Sequence, residues 1–326
     1  MLVAAAGGAS AQSTAPLNSR LSGDLTPTHD PVIAREGDTY YVFGTGLSSR
    51  TSKDLVHWTQ GKPLLDNRLP AWATEAVPGA EGMWAPDISY ANGRWQLYYA
   101  VSTFGSNRSA IGLATSPTLD PAAPGYGWRD EGMVLMSTAQ DDYNAIDPNY
   151  IVDRQGQAWL SLGSFWSGLK LFRLDAKTGK LADPTAKPYA IARRPVPRGA
   201  PAPVEAPFIV DHGGSYWLFA SYDYCCKGAA STYYTVVGRA KQITGPYLGK
   251  DGSSLLEGGG TIFLRADLPE KQRFRGPGHV GFLHDKDGAD YVAYHAYDRE
   301  NKGAPTLRIA QVTWGPDGWP VAENGS

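Results

Sequence analysis

The sequence predicts an all-β fold, a five-bladed β-propeller with an axial active-site pocket, because short acidic motifs recur along it at nearly even spacing. The acidic residues of four motifs lie 57, 60 and 58 positions apart. The motifs are His29-Asp30-Pro31, Ala85-Pro86-Asp87, Ile146-Asp147-Pro148-Asn149-Tyr150 and Val204-Glu205-Ala206-Pro207. A repeat of this length that is built from strands and turns is typical of a β-propeller.

The segments that follow the motifs provide the second observation. After each motif come an apolar stretch, a turn that contains glycine, and a strand rich in aromatic residues. The turns are Gly37-Asp38, Asn92-Gly93, Gln155-Gly156 and Gly213-Gly214, and a fifth, more divergent copy starts near Gly278-His279 and turns at Asp287-Gly288. Because the innermost strand of each propeller blade lines a central channel, the acidic residues are expected to surround one axial pocket.

Taken in order, the chain divides into five blades and two long loops. All-β architectures of this length are commonly a single domain, so residues 26–326 are predicted to form one propeller domain. The predicted segments are blade one at 30–58, a loop at 61–83, blade two at 84–128, blade three at 140–183, a loop at 184–203, blade four to 247, and blade five at 255–319.

The N-terminal residues 1–25 are predicted to lie outside the propeller, as a signal-peptide remnant and lead-in. Met1–Gln12 combines a short apolar run with the small-residue pattern Ala9-Ser10-Ala11. Such a pattern is typical of a secretory cleavage site, so a secreted or periplasmic protein is expected.

Composition excludes several classes of function. Charged residues make up 19% of the chain and the formal net charge is −2, which does not indicate a nucleic-acid-binding surface. No apolar stretch approaches the length of a membrane span, so no membrane partner is expected. We also expect a monomer. The two cysteines, Cys225 and Cys226, are too few for a disulfide scaffold and form either a vicinal disulfide or a pair of packed thiols.

Three acidic residues are the candidates for catalysis. A single Asp before Pro commonly caps a turn. Asp30, Asp147 and Glu205, however, occupy equivalent repeat positions that face one channel. Carboxylates that converge in a pocket shift each other's pKa and mark functional sites, and two of them across a pocket are the minimum for glycoside hydrolysis.

The ordered set of motifs resembles glycoside hydrolase family 43, and within it the arabinanases. The resemblance covers about residues 25–319. Besides the acidic motifs it includes Ser102-Thr103-Phe104-Gly105-Ser106, Gly163-Ser164-Phe165-Trp166-Ser167-Gly168, Tyr222-Asp223-Tyr224-Cys225-Cys226, Gly276-Pro277-Gly278-His279 and Tyr294-His295-Ala296-Tyr297-Asp298.

The resemblance implies a role for each site residue. Asp30 would be the general base, Glu205 the general acid, and Asp147 the residue that raises the pKa of the acid and orients it. Residues that would line the substrate cleft are Trp84, Phe104, Gly105, Asn144, Ser164, Phe165 and Trp166. His279 would be the protein ligand of a mostly hydrated calcium ion, whereas Asp87 and His295 are interpreted as structural.

The activity implied by the resemblance is inverting, endo-acting hydrolysis of α-1,5-linked arabinan or arabino-oligosaccharides. One alternative is an exo-acting arabinofuranosidase or a β-xylosidase of the same family. Another is a non-catalytic sugar-binding propeller. The sequence has no Trp-Asp repeat signature, and a binding scaffold has no need of Asp and Glu around its axis.

Overall fold

The computed structural model describes residues 15–197, 200–265 and 273–323, and these form five antiparallel sheets around an axis. Four sheets contain four strands, and the first contains a fifth strand contributed by the N-terminal segment. Within every sheet the blade strands pair in the order of the chain. The predicted five-bladed propeller is therefore confirmed.

The strands follow one another blade by blade. Blade one contains β1 (Ser22–Gly23), β2 (Val32–Glu36), β3 (Thr39–Gly44), β4 (Ser48–Ser52) and β5 (His57–Gln60). Blade two contains β6 (Met83–Ala91), β7 (Arg94–Val101), β8 (Ser109–Ser116) and β9 (Arg129–Ser137). Blade three contains β10 (Asn149–Val152), β11 (Ala158–Leu162), β12 (Leu169–Leu174) and β13 (Tyr189–Ala192). Blade four contains β14 (Val204–His212), β15 (Ser215–Tyr222), β16 (Tyr234–Ala240) and β17 (Thr261–Leu264). Blade five contains β18 (Phe274–His284), β19 (Asp290–Asp298), β20 (Ala304–Trp314) and β21 (Pro320–Ala322).

Helical structure is confined to short segments. The described α-helices are α1 (Leu17–Arg20) and α2 (Ala71–Ala76). Single 3-10 turns occupy Thr45–Leu47, Leu64–Asn67, Gly228–Ala230, Leu255–Glu257 and Arg299–Asn301. In the part of the chain that the structure describes, no helix is long and apolar enough to cross a membrane.

The turns after the innermost strands have the geometry that their residues favour. Asn92 and Gly93 both adopt positive φ, 54° and 72°, and connect β6 directly to β7. A two-residue hairpin loop with two positive φ angles matches the twist of the flanking strands, and Asn-Gly is its preferred sequence. Gly213 and Gly214 make the equivalent turn in blade four, with φ of 57° and 72°.

Five hydrophobic clusters hold the blades together, and each lies between two neighbouring blades. The interface of blades one and two contains Tyr41, Phe43, Leu97 and Tyr99. The interface of blades two and three contains Tyr98, Leu113, Leu160 and Phe172. Between blades three and four lie Trp159, Leu171, Leu218 and Tyr222. Between blades four and five lie Trp217, Phe219, Val292 and Tyr294. Blade five packs on blade one through Leu307, Ile309, Val42 and Trp58, so the ring is closed. Each fully buried Leu or Phe contributes about 1.5–3 kcal/mol to the free energy of unfolding.

The lead-in was predicted to lie outside the propeller, but residues 15–25 pack on it. The side chain of Asn18 donates to the hydroxyl of Tyr294 and accepts from the backbone N–H of Ile309. The strand β1 runs parallel to β5 at the edge of blade one. The segment therefore joins blade one to blade five. The predicted signal-peptide remnant itself falls mainly on residues 1–14, which lie outside the described residues.

The predicted blade bounds are wrong for the outermost strands. The strand β17 belongs to blade four, although its residues were predicted in blade five, and β13 forms inside the predicted 184–203 loop. The loop predicted at 61–83 contains α2. Outer strands of a propeller are short and half-exposed, so they carry little of the alternating apolar pattern from which inner strands are predicted.

Candidate active site

Two of the three candidate catalytic residues have an unusual backbone conformation where the innermost strands begin. Asp30 immediately precedes the Pro31–Val32 entry to β2, and Asp147 stands just before β10; their φ angles are 51° and 57°. Positive φ is uncommon outside glycine, although Asp tolerates it better than most residues. Such conformations cost free energy and cluster at functional sites.

Glu205 and His279 are placed by β-bulges. The pairing of β14 with β15 shifts between Glu205 and Phe208, and Ala206 within that bulge has a φ of 54°. The pairing of β18 with β19 shifts on both sides of Gly278, next to His279, whose φ is 52°. A β-bulge changes the direction of the side chains around it. The bulges in β14 and β18 therefore help to bring Glu205 and His279, which belong to different blades, together.

Asp30 is held on both carboxylate oxygens. Nδ1 of His279 lies 3.0 Å from Oδ1, and Nδ1 of His29 lies 2.9 Å from Oδ2, which also accepts a 2.5 Å hydrogen bond from Thr45 Oγ1. The backbone N–H of Asp30 donates to Nδ1 of the buried His295. Burial alone would raise the pKa of Asp30, but the charges and hydrogen bonds of His29 and His279 hold it well below the usual value. The carboxylate therefore stays ionised.

Glu205 has the opposite character. The hydroxyl of Ser164 donates to Oε2 and that of Tyr233 donates to Oε1, each over 2.8 Å. Burial raises the pKa of Glu205 in spite of these two hydrogen bonds, and the negative charge of Asp30 raises it further. A raised pKa is what a general acid requires near neutral pH.

Asp147 lies next to the acid and also has a raised pKa. Its Oδ2 accepts a 3.2 Å hydrogen bond from the backbone N–H of Ala206, the residue after Glu205. Burial raises the pKa of Asp147 to about 8; the positive charge of His279 opposes this shift, while the charges of Glu205 and Asp30 add to it. Two buried carboxyl groups in each other's field cannot both ionise readily, so the pair retains a proton near neutral pH.

His279 connects the base to the rest of the cluster. Its backbone N–H donates to Ser221 Oγ, and its ring is ion-paired with Asp30. Burial would lower the pKa of His279, yet the charges of Asp30, Asp147 and Glu205 raise it to about 9. The floor of the site is therefore electronegative and favours a positive charge.

Among the described residues, two groups of three potential metal-ligating side chains lie within reach of one ion. They are His29, Asp30 and His295, and His29, Cys225 and Cys226. His279 belongs to neither group. With Nδ1 paired to Asp30, it offers one ring nitrogen, so a calcium ion at this residue would fit only with water as most of its ligands.

Aromatic residues predicted to bind substrate form two groups. Trp84 of blade two contacts Phe104, with ring centroids 6.1 Å apart, and Phe104 is 86% exposed. In blade three Phe165 lies 6.0 Å from the ring of Tyr224, and Trp166 is 40% exposed. The exposed aromatic faces offer apolar stacking area, and the group in blade three follows directly after Ser164, the hydrogen-bond partner of Glu205.

Three other predicted cleft residues have assignable local roles. Ser164 bonds to Glu205, as described above. Asn144 is buried, and its side-chain oxygen accepts a hydrogen bond from Ser109. Gly105 has a φ of 76° and no atom near the position of a missing Cβ. The backbone angle, rather than close packing, accounts for glycine at position 105.

The structural interpretation of Asp87 is confirmed. Asp87 is 2% exposed and its Oδ2 accepts a hydrogen bond from the backbone N–H of Tyr150, which ties blade two to blade three. Burial raises its pKa to about 7. Asp87 therefore stabilises the blade interface from a buried position.

Several functional contacts are absent from the sequence predictions. His29 and Tyr297 lie inside motifs that carry the family resemblance, so a signal for them existed. Thr45 and Tyr233 have no such signal, because their contacts to Asp30 and Glu205 span 15 and 28 residues. Cys225 and Cys226 form a vicinal disulfide, which decides between the two predicted states.

Taken together, the site pairs an ionised carboxylate with a carboxyl group whose pKa is raised. Such a pair can remove a proton from water and donate a proton to a leaving group in one step.

Comparison with known proteins identifies a family and several relatives. The model of glycosyl hydrolases family 43 matches residues 25–320. The extracellular exo-α-(1→5)-L-arabinofuranosidase of Cellvibrio japonicus is 43% identical, over 90% of this chain and 86% of the relative. The extracellular endo-α-(1→5)-L-arabinanase 1 of Bacillus subtilis is also 43% identical, with the same coverage.

A solved structure shows the same similarity. The Cellvibrio cellulosa α-L-arabinanase complexed with arabinohexaose superposes with a TM-score of 0.86 at 41% identity, covering 92% of this chain and 96% of that one. The family model spans most of the chain, and both relatives are well above 30% identical. The chain therefore belongs to glycosyl hydrolases family 43.

Proposed function

We propose that the protein is an inverting glycoside hydrolase that cleaves internal α-1,5-L-arabinofuranosidic bonds of arabinan. The observation that carries the proposal is the division of roles in the acidic cluster. Asp30 is held ionised by two histidines, whereas the buried pair of Asp147 and Glu205 retains a proton.

In the proposed reaction Glu205 donates its proton to the glycosidic oxygen as the bond from that oxygen to the anomeric carbon breaks. A water molecule attacks the anomeric carbon from the opposite face, and Asp30 accepts its proton. Two carboxyl groups that act with a water between them give inversion of configuration. Exchange of protons with solvent then restores both groups.

The relatives support the substrate and the location. Both curated relatives are named for action on α-1,5-linked arabinose and as extracellular proteins. The Cellvibrio cellulosa arabinanase holds arabinohexaose, which supports an arabino-oligosaccharide substrate. We extend both points to this chain and propose a secreted enzyme.

The exo-acting alternative has an observation of its own, since one relative is named as an exo-acting enzyme at the same identity. A panel of linear arabinan, xylan and small aryl glycosides tests the proposal. Endo action predicts release of mixed oligosaccharides from linear arabinan at early times. Formation of a single short product from the start would favour exo action, activity confined to xylan-type substrates would favour a β-xylosidase, and no turnover would favour a sugar-binding propeller.

We also propose a calcium ion at His279. The negative charges around His279 support a mostly hydrated ion, which would bind Nε2 in place of its proton and keep a positive charge beside the carboxylates. Elemental analysis of purified protein should find about one calcium per chain. Removal with a chelator should lower the melting temperature or activity, and added calcium should restore it.

The matched variant for calcium is His279→Ala, which should resemble the chelated enzyme and gain nothing from added calcium. His57→Ala serves as the control because His57 is exposed on blade one. Purified wild-type protein without metal, and indifferent to exhaustive chelation, would contradict the calcium proposal.

A further inference from the structure

We propose that the Cys225–Cys226 disulfide and Tyr297 form a positioning device that acts through His29 on the catalytic base Asp30. The inference rests on the proposed role of Asp30. It assigns a function to the two cysteines and identifies Tyr297 and His29 as positioning residues, which touch the base or its partner rather than the substrate.

An unbroken series of polar contacts joins the disulfide to the base. The backbone N–H of Cys226 donates to the hydroxyl of Tyr297 over 2.7 Å. That hydroxyl lies 2.8 Å from Nε2 of His29, and Nδ1 of the same ring lies 2.9 Å from Oδ2 of Asp30. Tyr297 is 2% exposed, so little water competes for its hydroxyl.

The chemistry of the groups fixes the direction of these hydrogen bonds. An ionised carboxylate only accepts, so Nδ1 of His29 carries a proton and donates it to Asp30. Nδ1 donates to Asp30 in both protonation states of the ring. In the neutral ring Nε2 accepts from the Tyr297 hydroxyl, which itself accepts from Cys226. Burial would lower the pKa of His29, but the Asp30 carboxylate raises it, and in the charged ring Nε2 donates to the Tyr297 oxygen instead. In both states Tyr297 holds the ring so that its Nδ1 proton is directed at the base.

The disulfide determines where the first donor of this series points. Cys226 has a φ of 66°, an uncommon backbone angle outside glycine, and the bond to its neighbour restricts rotation there. Its Sγ also lies 3.8 Å from Nε2 of His29. The ring of His295 stacks on His29 with centroids 4.0 Å apart, so the imidazole is restrained by packing as well as by hydrogen bonds.

The first test is Tyr297→Phe, which removes one hydroxyl and keeps the ring. Loss of one orienting hydrogen bond should lower kcat about tenfold while KM changes little, because Tyr297 is buried and its hydroxyl is directed at His29. Tyr247→Phe is the control, since Tyr247 is fully buried in blade four and its hydroxyl donates to the backbone of Ile243. A purely structural role would lower the melting temperature of both variants and leave kcat alone.

A double-mutant cycle tests whether Tyr297 acts through His29. The amide of His29→Asn can stand near the position of Nδ1 and donate to Asp30, but it is too short to reach Tyr297. His29→Asn should therefore retain more activity than His29→Ala. In the His29→Asn background Tyr297→Phe should have no further effect on kcat, because coupled residues are not additive. A full tenfold loss in that background would overturn the proposed route.

Reduction of the wild-type protein tests the disulfide without any substitution. A phosphine reductant opens the S–S bond to two thiols and is itself oxidised to the phosphine oxide, with one water molecule supplying the oxygen and the two thiol protons. Reduced protein should keep measurable turnover with kcat lowered several-fold, towards the value of Tyr297→Phe. Neither Tyr297→Phe nor the Cys225→Ser, Cys226→Ser double variant should respond to reductant. Unchanged kcat after complete reduction, verified by thiol titration, would overturn the role of the disulfide.

Asp30→Asn separates failure of this inference from failure of the proposed function. If Asp30→Asn keeps wild-type activity, Asp30 is not the base. There is then no catalytic base for Tyr297 and the disulfide to position. If Asp30→Asn is inactive while Tyr297→Phe and reduced wild-type protein are fully active, only the positioning inference is wrong.

Discussion

Glu205→Gln should lower kcat on linear arabinan on the order of 10²–10⁴-fold, the range typical for loss of a general acid. The substitution keeps the size of the side chain and an acceptor for Ser164, so the site should remain folded and substrate affinity should be retained. Release of reducing sugar under saturating substrate measures the effect.

The leaving group distinguishes a lost acid from a distorted site. A nitrophenolate leaves without protonation, so an aryl arabino-oligosaccharide should lose much less rate in Glu205→Gln than arabinan does. Glu257→Gln is the control because Glu257 is exposed at the outside of blade four. An equal loss on both substrates, or wild-type activity of Glu205→Gln on arabinan, would contradict the assignment of Glu205 as the acid.

Asp147→Asn should have the second largest effect, and it should also change the pH profile. Asparagine keeps an acceptor for the backbone N–H of Ala206 but removes the negative charge beside Glu205. Without that charge Glu205 ionises more readily, so its pKa falls. Because activity requires protonated Glu205, the alkaline limb of kcat against pH should move to lower pH.

The pH profile separates this role from simple damage to the fold. Burial raises the pKa of both Asp147 and Glu205, so the pair retains a proton near neutral pH and wild-type activity should decline as the pH rises above neutrality. A variant with a lower rate and an unchanged alkaline limb would show that Asp147 does not control the acid. Asp211→Asn, near the C-terminal end of β14, is the control, because it weakens only a surface ion pair with Arg154.

The fold could be predicted because the acidic motifs that repeat in the sequence mark the starts of innermost strands in the structure. Asp30, Asp147 and Glu205 each lie at the start of an innermost strand, and each is followed by two buried residues. The spacing of these residues therefore reports the length of one blade. The outer strands β13 and β17 carry no such motif, and their bounds could not be predicted.

The identity of the catalytic residues was predictable, but the environment that distinguishes their roles was not. Whether a carboxyl group is held ionised or protonated depends on contacts from other blades, such as that of His279 to Asp30 and that of Tyr233 to Glu205. These contacts depend on bulges and positive φ angles that sequence periodicity does not show. The family resemblance supplied the roles, and the structure gives their physical cause.

The lead-in illustrates the same limit. The segment after Pro16 has no strand pattern, yet Asn18 fills a polar position between β19 and β20. The two hydrogen-bond partners of Asn18, Tyr294 and Ile309, lie more than 270 residues away along the chain. A local pattern cannot contain that information.

The configuration of the first-formed product tests the central claim most directly. Proton NMR of linear arabinan or arabinohexaose at early reaction times, before mutarotation, distinguishes the two anomers. Asp30 acting as a base on water, with Glu205 as the acid, predicts the β-anomer from an α-linked substrate, and carboxyl groups roughly 6.5–9.5 Å apart. First-formed product with the α configuration would contradict the account, because Asp30 would then have to be a nucleophile.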